Sequence, residues 1–554
     1  MRLRLPSAAG DQPHTGMITI AVMLGTLLQV LDTTIVNVSL PYMQGSLSAD
    51  QDQISWVLTS YIIGAAIMTP PTGWLAGRFG RRRVYLISMI GFLCASFLCG
   101  TATSLPEIVV LRVIQGLFGA AMVPISQAIL LDTYPREKHG MAMAIFGVGL
   151  MLGPIIGPVL GAYLTEDYSW RWVFFINIPV GAIAILLTLR YVKKTTINLA
   201  RKFDAWGFIF LSVAIGALQM LLDRGQEKDW FSSPEILIEL GITVIGTWLF
   251  FTQRYKKKNP YIDLTLFRDR NYVFGNLIGF ILFVTLFSSL SLLPQLLQDV
   301  EQYPVILTGL IMAPRGIGTM LSMIVVGRLS TRMDPRLNMA VGIVIMAIGT
   351  FFMSRFNTDM SIWPIIWTGF VQGVGMGQVF VPLTTVMFST LPPAQRTEGT
   401  GVYNLIRNIG GSIGISIAFT VLARYSQVNH ETLGSHITPF NPALHALQLP
   451  MNLQTPHGLA VMNGIINQQA AMISFNNDFF MMSLLAVFAL PFVFLMKRPI
   501  YATHTAVAAA KSPALPEPRL ALAGRPEPAA ARVAVDAVTP QLASGTAGHE
   551  LAPE

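Results

Sequence analysis

The sequence predicts an all-helical membrane protein of about fourteen spans: two six-helix bundles with two extra helices between them. Three observations carry this. The charge content is too low for a soluble surface, apolar runs of bilayer length follow one another along the chain, and basic residues gather in alternate loops. Of 554 residues, 53% are hydrophobic and 12% charged, whereas soluble domains hold about 25% charged residues. Lipid solvates apolar side chains and needs no charged coat.

A crossing helix needs roughly 20 mostly apolar residues. Such runs lie near 17–39, 54–75, 84–103, 108–130, 141–163, 172–191, 205–222, 235–253, 272–293, 304–326, 337–355, 362–389, 401–423 and 477–496. The first run continues past Leu31 to Leu40 without a small-residue cleavage site, so it reads as a retained span rather than a signal peptide. Cys94 and Cys99 share one run at a spacing that puts them on different helix faces. They read as buried small hydrophobes, not as a disulfide framework.

The basic residues test the map. With the N-terminus in the cytoplasm, that side collects Arg78, Arg81, Arg82 and Arg83, then Arg190, Lys193, Lys194, Arg201 and Lys202. Arg254, Lys256, Lys257, Lys258, Arg268 and Arg270 follow, then Arg328, Arg332 and Arg336. The opposite side holds only Arg171, Arg224, Lys228, Arg355 and Arg424. Short cytoplasmic loops carry such an excess, so the span number is expected to be even and both termini cytoplasmic. The net charge of +8 does not point to nucleic acid, because no aromatic residues interleave with the basic clusters as a stacking platform requires.

A weak internal repeat divides the chain. GWLAGRFGRRR from Gly73 returns as GRLSTRMDPR from Gly327, and RVIQGLFGAAMVP from Arg112 returns as GFVQGVGMGQVFVP from Gly369. Pro135 and Pro393 follow the two copies at matching distances, and the offset stays between 254 and 258 residues. Parallel repeats about an axis normal to the membrane build transporters whose substrate site lies between the halves. The expected organisation is a cytoplasmic N-terminus (1–16), an N-terminal six-helix bundle (17–191), a linker region with two extra spans (192–271) and a C-terminal six-helix bundle (272–498). The last contains an outer loop, 424–476, with His430, His436, His445 and His457 at no metal-binding spacing. After it, 499–554 is Ala/Pro-rich, a composition that builds no core and reads as a disordered cytoplasmic tail.

Asp32, in LDTTIVNVSLP, lies well inside the first span. A carboxylate there costs at least ~2.5 kcal/mol on insertion scales, so such residues mark ion or proton pathways or are paired at helix interfaces. Arg112 of the fourth span is its expected partner: counted from the span ends, both lie roughly 7–11 Å below the outer surface at 1.5 Å per residue. A proton and a guanidinium would then compete for one carboxylate. The alternative is a static buried ion pair. Thr34, Asn37, Gln115, Arg315, Gln372, Asn404 and Arg407 are candidates for the wall of a substrate cavity. Arg315 and Arg407 fit two roles equally, binding an anionic or polar substrate group or locking two helices together.

In the fifth span Gly149, Gly153, Gly157 and Gly161 recur every fourth residue, which allows close helix–helix approach. Pro154 and Pro158 remove backbone donors and are expected to bend the helix. No GxxxxGK[ST] occurs, which excludes P-loop ATP hydrolysis. GGSIG at Gly410 fits a nucleophile elbow formally, but Ser412 lies in a predicted span with no strand before it. An enzyme is therefore not expected, nor a metal or organic cofactor.

Together these motifs resemble the major facilitator superfamily, in its fourteen-span drug:proton antiporter branch, over about residues 17–498. GWLAGRFGRRR is similar to the loop motif between spans two and three, which implies a cytoplasmic gating role for Gly73, Arg78, Gly80, Arg81 and Arg82. LRVIQGLFGA resembles the span-four motif with its intramembrane arginine, here Arg112. GLMLGPIIGP resembles the antiporter motif of span five, and LDTTIVNVSLP the span-one motif carrying Asp32. LDRG at Leu222 with DWFSS after it, and PQLLQDV at Pro294, are similar to the EmrB-like group. The resemblance implies the major facilitator fold and a proton-coupled multidrug exporter of hydrophobic small molecules in the bacterial inner membrane. It also implies partners, a periplasmic adaptor (membrane-fusion) protein and an outer-membrane channel, with the proton as coupling ion. Two positions depart from the pattern. Gly77 stands where the loop motif has an aspartate, which puts that residue's gating ion pair in doubt, and Pro158 stands where span five's motif has a second glycine. Two other readings fit the same residues: a dedicated exporter of one metabolite class (a fatty acid, an aromatic acid or a siderophore), and a non-transporting membrane sensor or scaffold.

Overall fold

Backbone polar groups inside a bilayer must be satisfied within their own segment, and helices do that. The regular elements of the chain's computed structural model are accordingly helical among the described residues, which are 14–195, 197, 203–254, 262–329, 333–392, 395–438 and 455–497. The N-terminal segment before His14, the tail 499–554, His445, Pro393 and the basic residues Arg201, Lys202, Lys256, Lys257, Lys258 and Arg332 lie outside them.

Span 1 is Thr15–Ser46, span 2 the pair Gln51–Met68 and Thr72–Phe79, and span 3 Arg81–Thr101. Span 4 is Leu105–Gly119 continued by Met122–Thr133, span 5 His139–Asp167, and span 6 Trp172–Phe175 continued by Asn177–Tyr191. Spans 7 and 8 are Ala205–Arg224 and Pro234–Arg254. Span 9 is Arg270–Gln295 continued by Leu296–Val300, and spans 10, 11 and 12 are Val305–Leu329, Pro335–Met353 and Ile362–Ser389. Span 13 is Arg396–Ser435, and span 14 is Pro456–Phe488 continued by Leu490–Leu495. Thirteen helices are long and apolar enough to cross a membrane, and the bent pair of span 2 is the fourteenth. Its 55° bend falls at Pro70–Pro71, where two successive residues lack the N–H a continuous helix needs. Gly80, at φ +87°, then turns the chain into span 3.

Several expectations are corrected. The outer loop 424–476 is helical at both described ends, because span 13 runs to Ser435 and span 14 begins at Pro456. At 1.5 Å per residue, spans 13 and 14 are each about 60 Å long, twice the roughly 30 Å of hydrocarbon. They therefore project beyond the bilayer opposite the basic loops. Cys94 is exposed on the lipid side of its helix, and only Cys99 is buried.

Two seams join the halves. In one, span 5 lies between spans 1 and 10. Its glycine stripe faces span 1: Gly149 abuts Met23, Gly153 abuts Val30, Gly157 abuts Thr34 and Gly161 abuts Ile35. Its other side meets Gly309, Gly316, Met323 and Gly327 of span 10. In the second seam, span 2 meets span 13, and span 7 lies over both. Ala66, Ile215 and Leu405 form one small core there, and Ser412 donates to Gln219 of span 7 at 3.0 Å. Span 8 packs on span 7 through Gly246, against Phe210 and Ala214.

A Cβ added at Gly157 would lie 2.2 Å from the Thr34 hydroxyl, whereas one at Gly77 meets nothing within 4 Å. Overpacking costs about 1–3 kcal/mol. Gly157→Val is expected to lower the thermal midpoint of the purified protein in detergent, and Gly77→Ala to leave it in place. Equal midpoints for both variants and the parent would mean the span 1–span 5 seam is slack.

Candidate functional site

The expected pair of Asp32 and Arg112 forms, and it is larger than a pair. Both side chains are buried. Arg112 Nη1 donates to Asp32 Oδ2 at 2.6 Å. Asp32 Oδ1 accepts from Gln115 Nε2 at 2.8 Å and from Asn177 Nδ2 at 3.0 Å. One carboxylate is thereby held by donors from spans 4 and 6. Arg112 is satisfied in turn: Nε donates to the Val57 carbonyl of span 2 at 2.9 Å, Nη1 also reaches Gln115 Oε1 at 2.9 Å, and the guanidinium lies 4.3 Å from the Tyr61 ring centre. Asn177 also donates to Ser96 of span 3 at 3.0 Å, and Ser96 to the Phe174 carbonyl at 2.9 Å.

In this arrangement both oxygens of Asp32 accept hydrogen bonds. Adding a proton removes the charge that Arg112 pairs with, and so loosens the tie between span 1 and spans 2, 4 and 6. Span 1 is also the helix on which the glycine stripe of span 5 rides.

The other candidates are mostly built into helix contacts. Thr34 donates to the Gly153 carbonyl at 3.1 Å, inside the span 1–span 5 seam. Gln115 is a ligand of Asp32. Asn404 is buried and donates to the Thr400 carbonyl of its own helix at 2.7 Å. Gln372 donates to Ser289 at 3.0 Å and to Thr350 at 3.1 Å. Each of these four is thus engaged in a hydrogen bond within the helix bundle. Asn37 is exposed. Arg407 lies 5.4 Å from the Phe283 ring centre and contacts Asn408 Oδ1 of its own helix. Arg315 is buried, donates one bond to the Leu286 carbonyl at 3.3 Å, and leaves Nη1 without a partner among the described residues.

Gln372 belongs to a second, uncharged copy of the cluster. Asp32 and Gln115 are 83 residues apart, and so are Ser289 and Gln372, which bond each other in the same way. Gly369 stands where the first copy has Arg112, and Arg315 of span 10 covers that glycine.

The basic-loop face is fastened shut. Arg81 pairs with Asp132 at the end of span 4 and donates to Thr397 of span 13 at 2.7 Å. Arg396 reaches the same Asp132 at 3.5 Å. Thr400 donates to the Pro124 carbonyl at 3.3 Å, and Gly73 lies directly against Glu398. Gly80 supplies the turn and Arg82 donates to the Leu189 carbonyl, while Arg78 is part-buried beside them. With Gly77 facing open space, Asp132 supplies the acid between the halves. Asp132, Arg396, Thr397, Ser96 and Asn177 were missed in the sequence. Asp132 sits at a helix end, where acids are ordinary. The only signal for Asn177 is an amide inside an apolar run.

The sequence profile described as Major Facilitator Superfamily matches residues 22–415. The chain belongs to the major facilitator superfamily. This superfamily member is an all-helical, multi-pass membrane transporter and not an enzyme. It is 36% identical over 490 residues to the multidrug export protein EmrB of Escherichia coli K12, covering 87% of this chain and 95% of the relative. It is 35% identical over 489 residues to the fatty acid resistance protein FarB of Neisseria gonorrhoeae, covering 87% and 96%. Among solved structures it is similar in fold to the human organic anion transporter MFSD10, with TM-score 0.56 and 16% identity, covering 86% of this chain and all of that one.

Removing one partner of a buried ion pair costs about 3–5 kcal/mol, whereas replacing both with apolar residues is near neutral. Arg112→Leu is expected to depress thermal stability strongly, and Asp32→Leu with Arg112→Leu to recover most of the loss. Additive losses in the double variant would show that the two side chains do not interact.

Proposed function

We propose that the chain is a proton-coupled multidrug exporter, a drug:H+ antiporter working by alternating access in a bacterial inner membrane with both termini cytoplasmic. The Asp32 cluster carries the reading: a buried carboxylate held by donors on two other helices, on the helix that slides along span 5. In the state described here the basic, cytoplasmic face is closed. A proton arriving from the outer side occupies Asp32 and displaces its bond to Arg112. The neutral site lets the halves rock, the proton leaves to the cytoplasm, and Arg112 recaptures the carboxylate once drug is bound. Protons thus move inward as drug moves outward.

One charge moving down 100 mV supplies ~2.3 kcal/mol. At about 1.4 kcal/mol per tenfold, that sustains roughly a fifty-fold gradient without ATP. The relatives named for multidrug export and fatty acid resistance support a hydrophobic substrate range. The projecting hairpin of spans 13 and 14 is the surface we assign to a periplasmic adaptor, which would lead to an outer-membrane channel. Export of one metabolite class, carboxylates such as fatty acids, is the second reading. The unpartnered Nη1 of Arg315 and the likeness to FarB favour it.

Reconstituted protein loaded with a fluorescent lipophilic cation decides the main points. Wild type should build a gradient of the cation that depends on the proton gradient, and Asp32→Asn should bring it toward unity. Unchanged, proton-dependent transport by Asp32→Asn would reject the coupling assignment. Competition by a long-chain fatty acid but by no unrelated drug would favour the second reading, and binding without flux would indicate a sensor.

A further inference from the structure

The C-terminal half holds a buried acid that the Asp32 mechanism does not use. Asp478, on span 14, has no exposed surface, and neither carboxyl oxygen has a hydrogen-bond partner among the described residues. Its surroundings are apolar: Phe475, Phe479 and Met482 on its own helix pack into a core with Met353 of span 11 and Phe356 just after it, Leu292 and Leu296 of span 9, and Ala418 of span 13. Two bonds fix its depth. Asn476 donates to the Phe356 carbonyl at 2.8 Å and Ser483 to the Ala347 carbonyl at 3.0 Å. Asp478 therefore lies at the level of Met353, one turn of span 11 beyond Thr350, the residue that bonds Gln372.

In register along its helix, Asp478 corresponds to Asn177 of the first half. Asn177, Gly181, Ala184 and Thr188 are the buried face of span 6, and Asp478, Met482 and Ala489 repeat its beginning and end at one offset. In the first half the acid is on span 1 and the amide on span 6. In the second half span 9 carries Ser289 and span 14 carries the acid. Arg112 has no counterpart on span 12, where Gly369 stands. The charged groups on the helices packed against span 14 are Arg270 and Asp299 of span 9, Arg336 of span 11 with Arg355 just after it, and Arg396, Glu398, Arg407, Arg424 and Glu431 of span 13. None of them pairs with Asp478. A buried ion without a donor is the form such a site tolerates least, and it neutralises by taking a proton.

Water has a way in. A cavity of about 670 Å³ opens at the end of the membrane opposite the basic loops, between the ends of spans 9, 13 and 14 and the turn after span 7. Gln295, Gln468, Ala471 and Phe475 line it. Phe475 is one helical turn from Asp478.

We propose that Asp478 is a second proton-binding site of this transporter, loaded from the outer cavity past Phe475 and carried neutral while the basic-loop face is closed. The proton comes from water in the outer cavity and forms the carboxyl O–H. That bond breaks to water of the opposite compartment when the halves rock and span 14 parts from span 11. Asp32 and Asp478 then load separately, one under the control of Arg112 and the other free of any cation. This extends the proton-coupled reading but does not need Asp32 to be the coupling site.

Infrared difference spectroscopy of the full-length protein in detergent tests it without any substrate. Wild type should show the C=O band of a protonated carboxyl that shifts in D2O. The band should be missing in Asp478→Asn, displaced but present in Asp478→Glu, and retained in Asp32→Asn. In proteoliposomes, Asp478→Asn should lower the number of protons moved per lipophilic cation while Asp32 still couples. If Asp478→Asn keeps every carboxyl band of the wild type, the proposal fails, and should that variant not fold, an unshifted band in Asp478→Glu overturns it equally. Loss of proton-dependent flux in wild type with the Asp478 band intact would instead reject the antiport reading and leave this site standing.

Discussion

A charge inside a bilayer must be paired, and here the pairing of one carboxylate decides how helices are held. Asp32 could have been satisfied by neighbours on its own span. Its donors come instead from spans 4 and 6, and Arg112 reaches on to span 2. The cost of leaving such an ion unpaired, about 3–5 kcal/mol, is comparable with the whole stability margin of many domains. In the antiport cycle proposed above, neutralising the carboxylate would release span 1 from spans 4 and 6. The glycine stripe of span 5 complements this, because a bare helix surface offers little resistance to sliding.

Most of the fold was legible because the bilayer restricts it. Each apolar run had to be a helix of known length, and the arginine and lysine bias ordered them. The Asp32–Arg112 contact was legible from depth alone, since two charges at one level in lipid have few other choices. What depth could not show was the rotation of each helix. Thr34 and Gln115 were read as cavity residues because they are polar. One proved to be a seam contact and the other a ligand of Asp32. The gate was hidden for another reason. Asp132 and Arg396 sit at helix ends, where charge is normal, and only the fold brings them to Arg81. Helical structure beyond the membrane was also invisible, because polar helices and polar loops share a composition.

The repeat explains which parts differ between halves. Ser289 and Gln372 keep the spacing of Asp32 and Gln115, and Gly369 stands in place of Arg112, so that both charges are lost. A neutral amide–hydroxyl pair gives the same packing without responding to protons. The second half can then serve as a more rigid partner against which the first half moves, apart from the one acid on span 14.

The extra pair, spans 7 and 8, makes the molecule unlike on its two flanks. At the span 2–span 13 seam these helices stand between the joint and the surrounding lipid. At the span 5–span 10 seam nothing does so among the described residues: Ile156 and Val159 of one helix and Ile306, Leu310 and Ile317 of the other are exposed. A solute dissolved in the acyl chains and moving sideways toward the centre therefore meets a curtain on one flank and a bare joint on the other. In the exporter proposed above, lateral entry of a lipid-dissolved substrate would have a preferred direction of approach.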